Sequence, residues 1–393
     1  MTAEIRPPGL GLHNAELKVI LEKAYGDEAE AVLEALSHPP KRYYFRVNTL
    51  KSTPEEVYDS LSGENVKVYR DGRLSEALYV EIEGPHTIRP LPKKVIVDKF
   101  TAESVLQGAH VYAPGIVNCE GLSYGEAVTV LDERGNPVAN GLVLMGEPEI
   151  LACRRGLAVR VTEPVYHAPS IAERPEYDDG TIYPQSLPAM VTSRVLDAKP
   201  GEVIIDFNCS PGGKLSHICQ LTGNQALIYG MDRNKKKIEH VRRTLDRLGC
   251  RNVILTIQDT RYLDKDHPSL RADRCLIDPP CSALGVLPKV YCDITRKEVR
   301  NLSNYQKQFI KSASNVLKPG GRLVYSVCTV TVEECEEMVK FAEEQCGLKL
   351  IPQGLHLGSP ALDLLDNPGF AQRFHPHVHG AGYFIALFEK SGA

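Results

Sequence analysis

From about residue 200 onward, short apolar runs alternate with longer amphipathic stretches, and this alternation constrains the fold more than any other feature of the chain. The runs at 203–207, 226–231, 253–257, 274–277 and 322–326 each have the length of one buried strand and are too short for helices. Between them lie helical patterns. These are 234–248, with Lys and Arg on its outer side, 295–317, closed by Lys318-Pro319-Gly320-Gly321, and 332–346. Repetition of strand, helix and strand predicts an α/β fold built on a parallel sheet. A last run, 382–390, predicts an antiparallel strand covering an edge.

The first half of the chain reads differently. Leu17, Ile20, Leu21, Tyr25, Ala29, Val32 and Leu36 recur at helical spacing and stop at His38-Pro39-Pro40. A strand-like run at 43–50, a helix starting near Thr53-Pro54-Glu55, and strands at 66–69 and 77–80 make a small α/β unit, residues 1–91. Short β-rich runs at 109–112, 127–131, 138–145 and 157–162, separated by glycine turns, then predict a β-barrel module, residues 92–167. The α/β sheet occupies 168–393. At 393 residues the chain has room for three cores.

The loop Asp206-Phe207-Asn208-Cys209-Ser210-Pro211-Gly212-Gly213-Lys214 follows the first strand and opens a helix, where glycines let a ligand approach the backbone. Alone, a Gly-Gly pair is more often a tight turn than a ligand site. Context favours the ligand. Asp232 ends the next strand, about twenty residues beyond Gly212, where a carboxylate accepts from ribose hydroxyls. Asp259 ends the third strand and is placed for an adenine edge. A P-loop would need Gly at 208 and Ser or Thr at 215, but the chain has Asn208 and Leu215, and Gly-x-Gly-x-x-Gly is missing. Carboxylates around a glycine turn suit a cationic, phosphate-free nucleoside, and S-adenosyl-L-methionine is the expected cofactor. Lys214 is either a ligand contact or the exposed start of a helix.

Two cysteines stand just past predicted strand ends: Cys281 in Asp278-Pro279-Pro280-Cys281, and Cys328 in Ser326-Val327-Cys328-Thr329. A buried cysteine is usually an inert small hydrophobe. These two fall where open α/β sheets place their ligands. An aromatic residue after Asp-Pro-Pro would stack on a base whose exocyclic nitrogen is methylated; a thiol there argues for a carbon target that reacts only after addition to its ring.

With these motifs the chain resembles the Nop/Sun-type RNA cytosine-5 methyltransferases. The likeness extends to Arg46-Val47-Asn48-Thr49 and Tyr183-Pro184-Gln185-Ser186 and covers nearly the whole chain. It departs from the usual pattern at Ser210, Leu215, Pro279, Val327 and Thr329, none of which removes a reacting group. The middle module resembles a PUA domain through Gly108-Ala109-His110-Val111-Tyr112-Ala113-Pro114-Gly115-Ile116 and the 135–141 stretch. The resemblance implies tRNA as partner, docked by its acceptor stem with the PUA module reading the CCA end. Residues alone do not say which thiol attacks. The family comparison favours Cys328 as nucleophile toward cytosine carbon 6, with Asp278 hydrogen-bonding the base and Cys281 assisting proton removal and release. It implies cofactor contacts from 208–214, Asp232, Asp259 and Asp278.

A formal net charge of −4 excludes nucleic-acid binding by the whole surface, so RNA contacts are expected in local patches. Candidates are Lys93-Lys94 with Lys99, Arg154-Arg155, and Lys235-Lys236-Lys237 with Arg242-Arg243, with Tyr43, Tyr44 and Tyr112 as stacking surface. Charged helix faces are ordinarily just solvated. Eleven cysteines without a Cys-x-x-Cys pair predict free thiols and a cytoplasmic setting. The start of the chain lacks a signal-peptide apolar core, no apolar run spans a bilayer, and no obligate protein partner is expected. His375-Pro376-His377-Val378-His379 lacks the spacing of a helical zinc pair and is expected to be a loop near the active site, with no metal. Two further readings stay open: a noncatalytic RNA-binding or ribosome-assembly protein with a degenerate cofactor fold, and an rRNA methyltransferase. An exocyclic-amine methyltransferase is disfavoured by Cys281.

Overall fold

The computed structural model describes residues 12, 14–63 and 66–392. Helical spacing at the start of the chain produces two helices, Ala15–Tyr25, capped by the Asn14 side chain, and Ala29–Leu36. They bury Leu17, Ile20, Val32 and Leu36 against each other and against Leu284, Cys292, Val299 and Val330 of the C-terminal domain.

A four-stranded antiparallel sheet follows, in the order Ile182–Pro184, Arg42–Val47, Ala77–Glu81, Val68–Arg70. The helix Pro54–Gly63 buries Val57 and Leu61 in the same core. Ile182–Pro184 pairs in register with Phe45–Val47 after the intervening barrel, so the chain returns to its first unit before entering the large sheet.

The barrel has six strands in the order Val111–Tyr112, Leu157–Pro164, Pro137–Val143, Ala127–Leu131, Lys94–Val97, Ile116–Asn118. Two of these, Lys94–Val97 and Ile116–Asn118, and the helices Lys99–Val105 and Glu147–Cys153 were not expected from the sequence. Lys94–Val97 has only four residues, yet Val95 and Val97 alternate into the barrel core.

Among the described residues, nine strands build the large sheet. Its main path runs Val253–Ile257, Leu227–Asp232, Val203–Asp206, Ala272–Ile277, Leu317–Val327, Tyr383–Lys390, Ala371–Phe374, Ser359–Pro360; Leu348–Leu350 pairs beside Tyr383–Lys390. The first five are parallel. Strand order reverses between Val203–Asp206 and Ala272–Ile277, which opens a crevice at their C-terminal ends. Apolar side chains pack on both faces, Ile205, Cys275 and Leu323 on one, Ile204, Leu276 and Val324 on the other.

Three expectations need adjustment. Tyr383–Lys390 is antiparallel, but it is interior, because Ala371–Phe374 covers its far side. The Lys318-Pro319-Gly320-Gly321 stretch belongs to the strand Leu317–Val327, with an irregularity between Ala272 and Arg274 accommodating it. The helix expected from 332 begins at Glu336, since residues 332–335 turn inward and bury Val332, Glu334 and Cys335.

Residues 282–294, leading from Cys281 to the helix Arg296–Val316, form a strap across all three units. Leu284 and Cys292 enter the core of the N-terminal helices, while Val290 enters the barrel core. Lys289 N donates to Leu36 O at 2.7 Å, Tyr291 OH to Glu133 at 2.6 Å, and Arg134 pairs with Asp293 at 2.6 Å.

Candidate active site

At the crevice, Cys281 and Cys328 are half-buried with their sulfurs 3.4 Å apart. Each follows the end of one of two neighbouring parallel strands, Ala272–Ile277 and Leu317–Val327. Gly285 N donates to Cys328 O, and Gly382 N to Gly285 O, both at 2.9 Å. A Cβ on Gly285 would lie 1.7 Å from Gly382 O, so the two loops meet backbone to backbone.

Beside the sulfurs, Lys214 Nζ stands 2.5 Å from Asp278 Oδ2. Asp278 Oδ1 accepts from Ser326 Oγ at 3.2 Å and Tyr383 OH at 3.5 Å. Burial opposes the charge on Lys214, but Asp278 outweighs it and holds the ammonium well above its ordinary range. Of the two readings for Lys214, then, the structure shows a half-buried side chain aimed into the crevice. The thiols are pushed apart. Cys328 is lowered, chiefly by the hydrogen bond from Cys281 and further by Lys214 and Lys289, against burial and Asp278. Cys281 is raised well above a normal thiol by the same hydrogen bond, by burial and by Glu334.

The glycine loop lies where the helix Gly213–Leu221 begins. Gly212 has φ +107°, a conformation that strains any other residue, and a Cβ on Gly213 would meet the Tyr183 ring at 2.9 Å. Cys209 is buried, its N–H bonded to Met231 O, so its thiol has a packing position. Ser210 is half-buried and Pro211 exposed. Asp232 ends its strand as expected, with Oδ1 accepting from Asn234 N at 2.9 Å and Oδ2 3.8 Å from Lys237. Asp259 stands two residues past its strand, Val253–Ile257, and Arg261 grips both carboxylate oxygens, at 2.9 and 2.5 Å, so a ligand there competes with a guanidinium.

Several neighbours escaped the sequence reading. Asp206 is buried, and burial together with Asp278 and Asp232 pushes its carboxyl up to about 7. Its position at a strand end, like Asp232, was the available signal. Ser326 and Tyr383 carried none. Arg46, in the motif Arg46-Val47-Asn48-Thr49, is buried with its guanidinium on Gly213 O (2.9 Å), Ser216 Oγ (2.8 Å) and Gln185 Oε1 (2.8 Å). The histidine segment is a short helix, Pro376–His379, and not a loop; Pro376 packs beside Gly382, while His375 and His377 lie edge-on to Tyr25 and His377 is 3.4 Å from Glu28. Arg373 beside them is buried against Glu336 at 2.7 Å. Among the described residues no group of three His, Cys, Asp or Glu is placed to hold a metal ion. Of the stacking candidates, Tyr112 is exposed, whereas Tyr44 is bonded to Asp71 and packed against Tyr79.

Residues 193–389 match the family model described as 16S rRNA methyltransferase RsmB/F, residues 93–165 match the PUA domain, and 17–87 match the ferredoxin-like domain of RsmF/B-like methyltransferases. A tRNA (cytosine(72)-C(5))-methyltransferase of Pyrococcus horikoshii is 39% identical over 95% of this chain and 96% of its own length. The chain belongs to the RsmB/F methyltransferase family. The human tRNA (cytosine(72)-C(5))-methyltransferase NSUN6 is 31% identical over 90% of this family member and 83% of its own length. The crystal structure of NSun6 from Pyrococcus horikoshii with SFG superposes with a TM-score of 0.88, covering 97% of this methyltransferase and 99% of that chain.

The cofactor of this RsmB/F methyltransferase is S-adenosyl-L-methionine, and its residues fit one. Asn208 Oδ1 is buried without a hydrogen-bond partner among the described residues, an acceptor that a ligand donor would satisfy. Burial raises Asp206 first, Asp278 is paired with Lys214, and the half-buried Asp232 carboxylate at its strand end is left to attract a cationic ligand and repel phosphate.

Proposed function

We propose that this enzyme forms 5-methylcytosine near the 3′ end of the tRNA acceptor stem, with Cys328 as nucleophile. The sulfur pair beside the Lys214–Asp278 ion pair carries the reading. Higher identity to tRNA methyltransferases supports the substrate: two of them are 39% and 31% identical over 95% and 90% of the chain, against 25% for a relative named for rRNA that also spans 95% of it. The PUA barrel supplies a module for the CCA end, and Tyr112 with Arg155 supplies exposed contact surface. Eleven free cysteines support a cytoplasmic setting, and no helix among the described residues is long and apolar enough to cross a membrane.

In this mechanism Cys328 Sγ, as thiolate, bonds to carbon 6 of a flipped-out cytosine, and the displaced ring electrons make carbon 5 nucleophilic. Asp278 hydrogen-bonds the base while Lys214 balances its charge. S-adenosyl-L-methionine, when held by 208–214, Asp232, Asp259 and Asp278, supplies an electrophilic methyl group. Once Cys328 is bonded to carbon 6 its charge no longer holds the Cys281 proton, which leaves to solvent, and Cys281 Sγ as thiolate then takes the carbon 5 proton. The electrons of that C–H bond restore the ring double bond as the S–C6 bond breaks, returning Cys328 as thiolate.

Bisulfite sequencing of tRNA incubated with the enzyme and methyl donor tests this. One new 5-methylcytosine in the acceptor 3′ segment is expected, absent with Cys328→Ala, while Cys281→Ala accumulates a covalent RNA adduct. Full activity of Cys328→Ala without an adduct in Cys281→Ala, or methylation of rRNA and not tRNA, overturns the corresponding part.

A further inference from the structure

The residues that follow the two cysteines are bonded to each other. Ser282 Oγ lies 2.5 Å from Thr329 Oγ1, and one carboxylate, Glu334, stands behind the pair. Its Oε1 accepts from Ser282 N and from Gln306 Nε2, each at 2.9 Å, two groups that can only donate. Its Oε2 accepts from Ser282 Oγ at 2.5 Å and Thr331 Oγ1 at 3.0 Å, while Thr329 Oγ1, 3.4 Å away, gives its proton to Ser282 Oγ. Gln306 also donates to Pro280 O, on the other side of Cys281, at 2.9 Å. Glu334 is fully buried, and among the described residues no cation pairs with it.

A buried carboxylate without a counter-ion is costly, and a neutral amide or packed side chain would join two loops more cheaply. Burial raises the Glu334 carboxyl, hydrogen bonds from Ser282, Gln306 and Thr331 work against that rise, and what the carboxylate adds is charge. The two thiols are unequal in their surroundings: Glu334 raises Cys281, while at Cys328 the rise from Asp278 is countered by Lys214 and Lys289. Glu334 holds the residue next to Cys281 and has no cation beside it among the described residues, whereas beside Cys328 the Asp278 carboxylate is paired with Lys214 at 2.5 Å, so the uncompensated negative charge lies on the Cys281 side.

We propose that Glu334 is a positioning residue that ties the two cysteine loops together and, by its charge, keeps the proton on Cys281 and the anion on Cys328. This rests on the two-thiol reading of the site. Without the charge, the proton would be shared between the sulfurs, and both the attack by Cys328 and the later step through Cys281 would slow.

Alkylation of the full-length, RNA-free enzyme by iodoacetamide, with the Cys281 and Cys328 peptides quantified by mass spectrometry, reads the partition directly. Wild type is expected to label Cys328 over Cys281 by about tenfold or more, and Glu334→Gln to bring the two within about threefold, one pKa unit being a factor of ten. In turnover Glu334→Gln lowers kcat, leaves KM for tRNA and for S-adenosyl-L-methionine in place, and accumulates covalent RNA adduct. Ser282→Ala, which removes a hydroxyl and keeps the charge, retains the wild-type partition. An unchanged partition in Glu334→Gln, an equal change in Ser282→Ala, or loss of cofactor binding together with kcat overturns the assignment. The alkylation needs no RNA, so it stands apart from substrate choice: a wild-type enzyme that fails to methylate tRNA sinks the substrate reading alone.

Discussion

Lys214 and Asp278, 64 positions apart in the chain, meet with ammonium and carboxylate 2.5 Å from each other, and through them the cofactor loop is joined to the cysteine loop. Both side chains are largely withdrawn from water, and removing one partner of such a pair strands the other.

Lys214→Met should therefore act in two ways. It leaves Asp278 uncompensated and removes a cation that stabilises the Cys328 thiolate, so the Cys328 thiol rises. Methyl transfer at neutral pH is expected to fall about 10²-fold, equivalent to about 2.7 kcal/mol, with part of the loss regained toward pH 9 as the thiol ionises. A pH–rate profile from 6 to 9 checks the direction; a uniform loss at every pH would contradict it.

Arg46 reaches the same loop from the N-terminal unit. Its fork on Gly213 O, Ser216 Oγ and Gln185 Oε1 fixes the first helical turn that a cofactor must meet. Arg46→Ala is expected to weaken S-adenosylhomocysteine binding about tenfold or more by calorimetry, and Arg46→Lys to recover little of it, because an ammonium cannot reproduce the planar fork.

Gly285→Ala tests the backbone contact between the loops. The added methyl has no space against Gly382 O, and relief requires moving the segment whose N–H holds Cys328 O. The expected result is a loss of methyl transfer far larger than the loss of cofactor affinity, whereas Gly369→Ala, where nothing lies within 4 Å of the new methyl, should be nearly silent.

Acid stability depends on Glu76, Arg194 and His217. Burial, and then Arg46, hold His217 down to about 3, so it is neutral in the fold. The unfolded chain takes up this proton below about pH 6.5, and stability is lost as pH falls from there toward 3, by at most about 1.4 kcal/mol per pH unit for one proton. Burial alone would raise Glu76, but hydrogen bonds from His217 and Arg194 outweigh it and hold the carboxyl well below its ordinary value. Its contribution is present above about pH 4.5 and is lost as pH falls further, so the two effects share a sign. Calorimetric Tm should decline between pH 7 and 4, with a shallower decline in His217→Gln.

Much of the site was legible because its chemistry lies at strand ends. Cys281, Cys328, Asp278 and the glycine loop each follow an apolar run, and a parallel sheet brings such positions to one edge. Asp232 was legible for the same reason. Asp259 was found just past its strand, but its pairing with Arg261, two residues on, depends on the turn of Thr260–Tyr262, which no periodicity announces. Glu334 lay inside a segment whose 3.6-residue pattern predicted a helix from 332; its burial among hydroxyl groups exists only once both cysteine loops are in place. The barrel strand Lys94–Val97 was obscured by the basic pair at its start, and Ile182–Pro184 by its distance from its partner strand. Local patterns record which face a residue prefers, and these positions are decided by what arrives from elsewhere in the chain.

The strap at 282–294 makes the barrel something other than a detachable cassette. With Val290 seated in the barrel interior, excising that module would expose a valine and loosen the peptide that leaves Cys281 directly. A foreign RNA-reading domain grafted in its place would have to offer a socket for the same side chain, so exchange of recognition modules in this enzyme is limited by an aliphatic residue that touches neither RNA nor methyl donor.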